Sequence, residues 1–382
     1  MSAAQDAALV DLLTELVEIP SVNPALDATG TGEAAVAAAV ADWAASCGLH
    51  VERVGSDPTR PNVVVSSRLD AGDAPTLLLC GHLDTVGTEG RRIVARRDGD
   101  RLHGRGSYDM KAGLVASLEA CRQVARRGAA TRVVVAAVAD EEHASRGMVE
   151  VLDHLDTSTI DAAIVTEPTE LEVAVAHKGF VWVRIDFEGV AAHGSRPQLG
   201  HDAIMDLGPV LTMLADLDDD LAARPHPLLG PASLHASVVA GGRDWSTIPG
   251  HARLDIERRT LPGESRTTVE DEVETILATA TRRRPGLAAT ATVRLVRDPL
   301  ATDVEHPFVG TTLAAAGHVR SRPMTPVGVS YWADSAMIAA AGIPTVLFGP
   351  DGDGAHAEVE WVSVEGTCVT RDVLVDVAQR LV

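Results

Sequence analysis

A histidine and an aspartate close the stretch LLLCGHLD, which spans residues 77–84. Leu77-Leu78-Leu79-Cys80 is a short continuous apolar run ended by Gly81. Such a run predicts a strand buried on both faces, as in a parallel sheet. In open α/β sheets the ligand site lies just beyond the carboxyl ends of the strands. His82 and Asp84 stand at that place, and period-two alternation puts both on one side. A carboxylate at Asp84 can receive one ring N–H of His82 and leave the other nitrogen for a metal. Taken alone, the stretch reads more simply as a turn with a capping aspartate.

Four further stretches place chemistry-bearing residues at comparable positions. In GRGSYDMKAG, Asp109 precedes a helix expected from Lys111, where the helix dipole favours a carboxylate and where a plain N-cap is the simpler reading. In VVVAAVADEEHASRG a buried strand ends in Asp140-Glu141-Glu142. Adjacent glutamates repel each other unless cations or protons neutralise them. Their side chains point to opposite sides, so Glu142 can bind metal while Glu141 holds a proton; a solvated acidic turn is the alternative. In AIVTEPTEL, Glu167 follows another buried strand, and in GPDGDGAHAEVEWV, His356 follows a strand and a glycine-rich loop. Two histidines, one aspartate and two glutamates, with a third glutamate beside them, form a mixed N/O set that suits zinc, cobalt or manganese. One catalytic zinc needs three protein ligands and a water. The surplus points to two metals bridged by one carboxylate, a device for hydrolysis. There is no G-x-S-x-G elbow, and the glycine-rich Gly349–Gly354 lacks the lysine of a phosphate loop.

The elements that must position these residues fall into two patterns. Helical periodicity covers residues 6–18 and 33–47, with Gly48 at a C-cap position. Strands are expected at Asn62–Ser67, Thr76–Cys80, Arg132–Ala139 and Asp161–Thr166, with a helix over Lys111–Arg127. Strands alternating with helices imply a parallel, helix-covered sheet. After Gly179 the pattern changes to β-α-β-β-α-β, with strands near 181–188, 233–240, 252–260 and 290–296 and helices near 201–217 and 268–283. The α/β character returns after Asp298, with a strand at Thr345–Phe348 and a last helix from about Val364. The expected fold is therefore α/β, a helix-covered, mostly parallel sheet with an inserted β-α-β-β-α-β domain. A discontinuous catalytic domain takes residues 1–179 and 298–382, and the insertion takes 180–297.

Composition agrees with this. The chain has 382 residues, 46% hydrophobic and 23% charged, which is ordinary for a globular protein with a sizeable core. A formal net charge of −21 argues against nucleic acid and anionic membrane as partners. No apolar run approaches the length of a membrane span, and the N-terminus lacks the pattern of a signal peptide. Cys47, Cys80, Cys121 and Cys368 form no C-x-x-C pair and read as reduced thiols of a cytoplasmic protein.

The motifs GHLDTV, GRGSYDMKAG, ADEE, TEPTEL, AAHGSRP and GAHAEVEWV, in this order, resemble those of the co-catalytic metallopeptidase family. That family includes acetylornithine deacetylase, succinyl-diaminopimelate desuccinylase, aminoacylase-1 and carboxypeptidase G. The resemblance implies a dizinc site, with Co2+ or Mn2+ as substitutes, in which His82 and Glu167 hold one ion, Glu142 and His356 the other, and Asp109 bridges them. It implies that Asp84 orients His82 and that Glu141 is the general base. It makes the insertion a lid that also forms a homodimer, with His193 of AAHGSRP reaching the other subunit's site. It assigns Arg259 of ERRTLPGE to a substrate carboxylate and adds Ser246 and Gly349 to the substrate contacts. Ser246 stands where the family often has asparagine and offers no amide donor. The implied activity is cleavage of an N-acyl amino acid or a small dipeptide-like substrate. A carboxypeptidase G-like or dipeptidase activity, hydrolysis of carbamoyl substrates, and a non-catalytic binding protein on the same fold are the alternatives.

Overall fold

The computed structural model describes residues 3–70, 72–88, 90 and 94–381. The chain divides into two compact units, one of Met1–Val175, Thr302–Val327 and Ala333–Val382, the other of Ala176–Ala301 and Gly328–Trp332.

The first unit is built on a mixed sheet whose centre is parallel. Strands Arg132–Val138, Thr76–His82, Ala162–Val165 and Thr345–Leu347 lie side by side in that order, all parallel. Antiparallel strands flank them: Asn62–Ser66 and then His50–Val54 on one side, Ala174–His177 on the other. The apolar runs explain the centre. Leu77, Leu79, Val133, Val135, Ala162 and Ile164 are buried beneath the helices Ala3–Glu18, Ala34–Ser46, Ala112–Arg127 and Val364–Arg380. The alternate residues Leu78, Val134, Ala136 and Ala163 are buried on the opposite face. There the helices Arg146–His154 and Ser335–Ala340 pack on the sheet. With both faces covered, the middle positions of the central strands are apolar, which is why those strands read as unbroken runs.

Parallel strands share one carboxyl edge. His82 closes Thr76–His82, Asp140-Glu141-Glu142 follow Arg132–Val138, Glu167 follows Ala162–Val165, and Gly349 follows Thr345–Leu347. The sheet therefore delivers separate pieces of sequence to one edge.

The second unit is a four-stranded antiparallel sheet in the order Ser233–Gly241, His251–Thr260, Gly179–Glu188, Ala288–Arg297. Val181, Val183, Ile185 and Phe187 alternate inward to meet Leu254 and Ile256 and the helices Ala203–Ala222 and Arg266–Arg283. The other face carries half-buried Trp182, Arg184, Asp255, Glu257 and Arg259. Among the described residues no helix is long and apolar enough to cross a membrane.

Several elements depart from the sequence expectation. Strand His50–Val54 and helix Arg146–His154 were not anticipated, nor were the short strands Arg96–Asp98, Arg101–His103 and Trp361–Ser363. The helix expected from Lys111 is preceded by one wide turn, Ser107–Lys111, and becomes regular at Ala112.

Candidate metal centre

His82 is 1% exposed. Its Nδ1 lies 2.9 Å from the backbone carbonyl of Asp84, whereas the nearer Asp84 carboxylate oxygen is 3.7 Å away. A carbonyl can only accept, so Nδ1 donates, and Nε2 is the nitrogen available to an ion once its own proton has left. Asp84 thus orients the ring through its main chain. Its carboxylate does something else: Oδ1 accepts the backbone N–H of Glu141 at 3.1 Å and Oδ2 that of Glu142 at 3.2 Å.

Nε2 of His82 faces a ring of carboxylates. Asp109 Oδ1 is 3.0 Å away, Glu167 Oε1 3.8 Å and Glu141 Oε2 3.9 Å. On the other side of Asp109 stands His356, whose Nε2 lies 3.3 Å from Asp109 Oδ2 and 2.9 Å from Glu142 Oε2. Asp109 therefore presents one oxygen to each histidine. Candidate ligand atoms of His82, Glu141 and Glu167 lie within 4.8 Å of one another, as do those of His82, Asp109 and Glu142. The structure thus brings together His82, Asp84, Asp109, Glu141, Glu142, Glu167 and His356.

Electrostatics mark this as a place built for cations. Burial, and then the charges of Glu167, Asp334 and Glu142, push the Glu141 carboxyl well above its usual range, against the pull of His82. Burial does the same to Glu167, reinforced by Asp109, Glu142 and Asp334. Glu142 is pushed up to about 7 by burial and by Asp109. The hydrogen bonds of His356 to Asp109 and Glu142 raise it to about 10. His82 is raised well above the ordinary histidine range; burial opposes this, but Asp109, Glu167 and Glu141 outweigh it. Loss of solvent pushes the half-buried Asp109 carboxyl up, yet hydrogen bonds from His356 and His82 outweigh this and hold it low. Crowded buried carboxylates are costly without compensating positive charge, and an N/O donor set of this kind fits zinc-like ions.

The Asp109 turn is clamped by residues that sequence reasoning did not assign. Glu360 is 4% exposed, and its carboxylate accepts the backbone N–H groups of Gly106 and Tyr108 at 2.9 Å and of Asp109 at 3.1 Å. Arg105 Nη1 adds a fourth bond at 2.7 Å. Glu360 lies inside the quoted GAHAEVEWV motif, which was its only signal. Buried Lys111 donates to the carbonyls of Leu16 and Ile19, both at 2.9 Å, and ties the turn to the first helix. Gly113 admits no side chain, because a Cβ there would meet the Thr166 carbonyl at 1.8 Å. The helix consequently presses on the backbone beside Glu167. Gly349 plays a similar part: a Cβ would meet the Glu167 carbonyl at 2.1 Å, and its N–H donates to Thr169 Oγ1 at 3.0 Å.

The remaining expected residues belong to the second unit. His193 is exposed, its Nδ1 2.8 Å from Ser195 Oγ. It sits on Ala192–His193, which pairs with Thr247–Ile248, and the Gly194 N–H donates to the Ser246 carbonyl at 2.7 Å. His193 and Ser246, distant in sequence, are therefore neighbours. Arg259 donates through Nε to Glu257 at 2.7 Å and stacks its guanidinium 5.3 Å from the Phe180 ring.

The sequence profile described as peptidase family M20/M25/M40 matches residues 78–380. The chain belongs to this family. Among relatives of this M20 chain, a Mycobacterium tuberculosis protein named for succinyl-diaminopimelate desuccinylase, DapE, is 29% identical over 380 residues, covering 96% of each chain. The acetylornithine deacetylase of Proteus mirabilis is 26% identical over 381 residues, covering 96% of this chain and 94% of the relative. A solved structure of the same fold is the Bacillus subtilis YXEP protein, titled a dinuclear metal binding peptidase from the M20 family. It has a TM-score of 0.76 at 15% identity and covers 99% of both chains. The M20 chain is a metal-dependent hydrolase, with a candidate metal-binding cluster at the carboxyl edge of its sheet.

Proposed function

We propose that this chain is a dizinc amidohydrolase that cleaves the amide bond of an N-acyl amino acid, as the names of its deacetylase and desuccinylase relatives suggest. The observation that carries the reading is Asp109, with one carboxylate oxygen toward His82 and the other toward His356. In this reading His82 and Glu167 hold one ion, Glu142 and His356 the other, and Asp109 both. The two ions supply a water acidic enough to lose its proton near neutral pH, together with positive charge for the oxyanion.

The chain's own groups do the rest. Asp84 fixes the His82 ring through its carbonyl, so that Nε2 is the ligating nitrogen. Glu141, whose Oε2 lies 3.9 Å from His82 Nε2, is the base: it takes the water's proton and gives it to the departing amine. Arg259, fixed through Nε by Glu257, offers its remaining guanidinium edge to a substrate carboxylate. His193 acts as donor to the scissile carbonyl of the other subunit in a homodimer formed by the inserted unit, with Ser246 beside it. Gly349 forms the wall behind Glu167. Four free thiols and the acidic surface suit a cytoplasmic protein.

The test is hydrolysis of N-acetyl and N-succinyl amino acids against dipeptides, with zinc or cobalt supplied. Preferred cleavage of an N-acyl amino acid supports the reading. Preferred release of a C-terminal amino acid from dipeptides replaces it with the peptidase reading, and no cleavage of any of them overturns both.

A further inference from the structure

Behind the paired glutamates lies a buried polar network in which no member is a candidate ligand. Arg60 leads it, its side chain 10% exposed. Its Nε donates to Glu33 Oε2 at 2.8 Å, its Nη2 to the other Glu33 oxygen, and its Nη1 to Asp140 Oδ1 at 2.8 Å. Asn23 Nδ2 reaches the same Asp140 oxygen at 3.2 Å and Asp84 Oδ2 at 2.8 Å. The Asp140 N–H returns to Glu33 Oε1 at 3.2 Å. Asp84, in turn, holds the N–H groups of Glu141 and Glu142. The hydrogen bonds therefore run without a gap from one guanidinium to the two amides that set the direction of the paired glutamates.

The turn they secure is a demanding one. Asp140 has φ 70°, a left-handed conformation that a non-glycine residue adopts at a cost. Arg60 bonds the buried carboxylates of Glu33 and Asp140 together. A planar fork can bond two carboxylates at fixed angles; an ammonium supplies the charge without the geometry.

We propose that Arg60 is a positioning residue for the metal centre. Through Asp140, Asn23 and Asp84 it fixes the turn that sends Glu141 toward His82 and Glu142 toward His356. The inference rests on the proposed roles of those two glutamates. Outer partners of ligands typically change metal affinity or activity about 10–100-fold when removed.

The probe is Co2+ itself, titrated into metal-free full-length chain and followed by its visible absorption. Arg60→Lys keeps the charge and loses the fork. It should weaken cobalt binding by about 10–100-fold and alter the absorption bands of the bound ion. Asn23→Ala interrupts the same path with a smaller change in volume, and serves if Arg60→Lys fails to fold. A folded Arg60→Lys or Asn23→Ala chain with wild-type cobalt affinity and bands overturns the proposal, even if its melting temperature has fallen. The wild-type titration reads the other question separately: uptake of no more than one cobalt per chain refutes the two-metal reading, while the variant comparison on that one ion still decides the role of Arg60.

Discussion

Replacing Glu141 by glutamine separates a base from a ligand. The substitution is close to isosteric and leaves the backbone N–H on Asp84 Oδ1, so the turn should survive. If Glu141 is the general base, turnover should drop about 10²–10⁴-fold, the range for a positioned proton acceptor, or about 3–5 kcal/mol on the barrier. Both metals should remain, because His82, Glu167, Asp109, Glu142 and His356 are untouched. The geometry also supplies a rival: Glu141 lies within ligand distance of His82 and Glu167, so it could itself hold an ion. Removing its charge relieves the cost of its burial and its repulsion from Glu167, Asp334 and Glu142, which together outweigh the attraction to His82 that is lost with it. The metal-free Glu141→Gln chain should therefore melt no lower than metal-free wild type. Glu142→Gln is the control, since its carboxylate is 2.9 Å from His356 and should be needed for metal. The assay is kcat and KM on the best N-acyl substrate, with metal content by elemental analysis. Near-normal turnover in Glu141→Gln with both metals present refutes the base assignment; loss of an ion in that variant makes Glu141 a ligand.

Metal uptake should release protons. His82 is raised well above its ordinary range, His356 to about 10 and Glu142 to about 7, so protons occupy ligand atoms at neutral pH. Affinity should then climb with pH up to the region where His356 titrates, by about 1.4 kcal/mol per pH unit for each proton displaced. Calorimetry of zinc binding in buffers of different ionisation enthalpy reads the proton number, and a heat independent of buffer refutes the assignment. In the proposed dimer, His193→Ala should cut turnover about 10²–10³-fold, the scale of one lost oxyanion donor, and leave metal content intact. Exchanging subunits between His193→Ala and Glu141→Gln should restore activity at one site per heterodimer; demonstrated exchange without recovery shows that His193 does not act in trans.

The parts of this protein that were legible in its sequence share one property: neighbouring residues carried the signal. The runs at Leu77–Cys80 and Arg132–Val138 are unbroken because both sheet faces are covered, and the groups that close them fall on the carboxyl edge by topology alone. Strand His50–Val54 was missed because it is a largely exposed edge, with Glu52 and Arg53 adjacent in its middle and no apolar run. The roles of Arg60, Asn23 and Glu360 were not legible for a different reason. Each acts on residues far along the chain: Asn23 on Asp140, Arg60 on Asp140, Glu360 on the turn at Gly106–Asp109. An isolated polar residue in a loop carries no local pattern that reveals such a partner. The Asp84 carboxylate shows the same limit, since its link to the following glutamates depends on two neighbouring strands ending level with each other.

These long-range bonds also decide when the centre can form. The strand Thr345–Leu347 docks directly on Ala162–Val165, and without it one flank of the Glu167 strand has no partner. The carboxylate of Glu360, farther on, holds the backbone N–H groups of Gly106, Tyr108 and Asp109 in the conformation that presents the two Asp109 oxygens. His356 comes from the same late segment. The early segment therefore contains His82, Asp109, Glu141, Glu142 and Glu167, yet it lacks both the second histidine and the clamp on the bridging carboxylate. A set of crowded acids with one histidine is a poor zinc site and an unstable core. The last segment brings both His356 and Glu360 to Asp109. In the proposed two-metal reading, binding of the ion held by His356 would be coupled to docking of the last segment, because ions stabilise only the state that binds them.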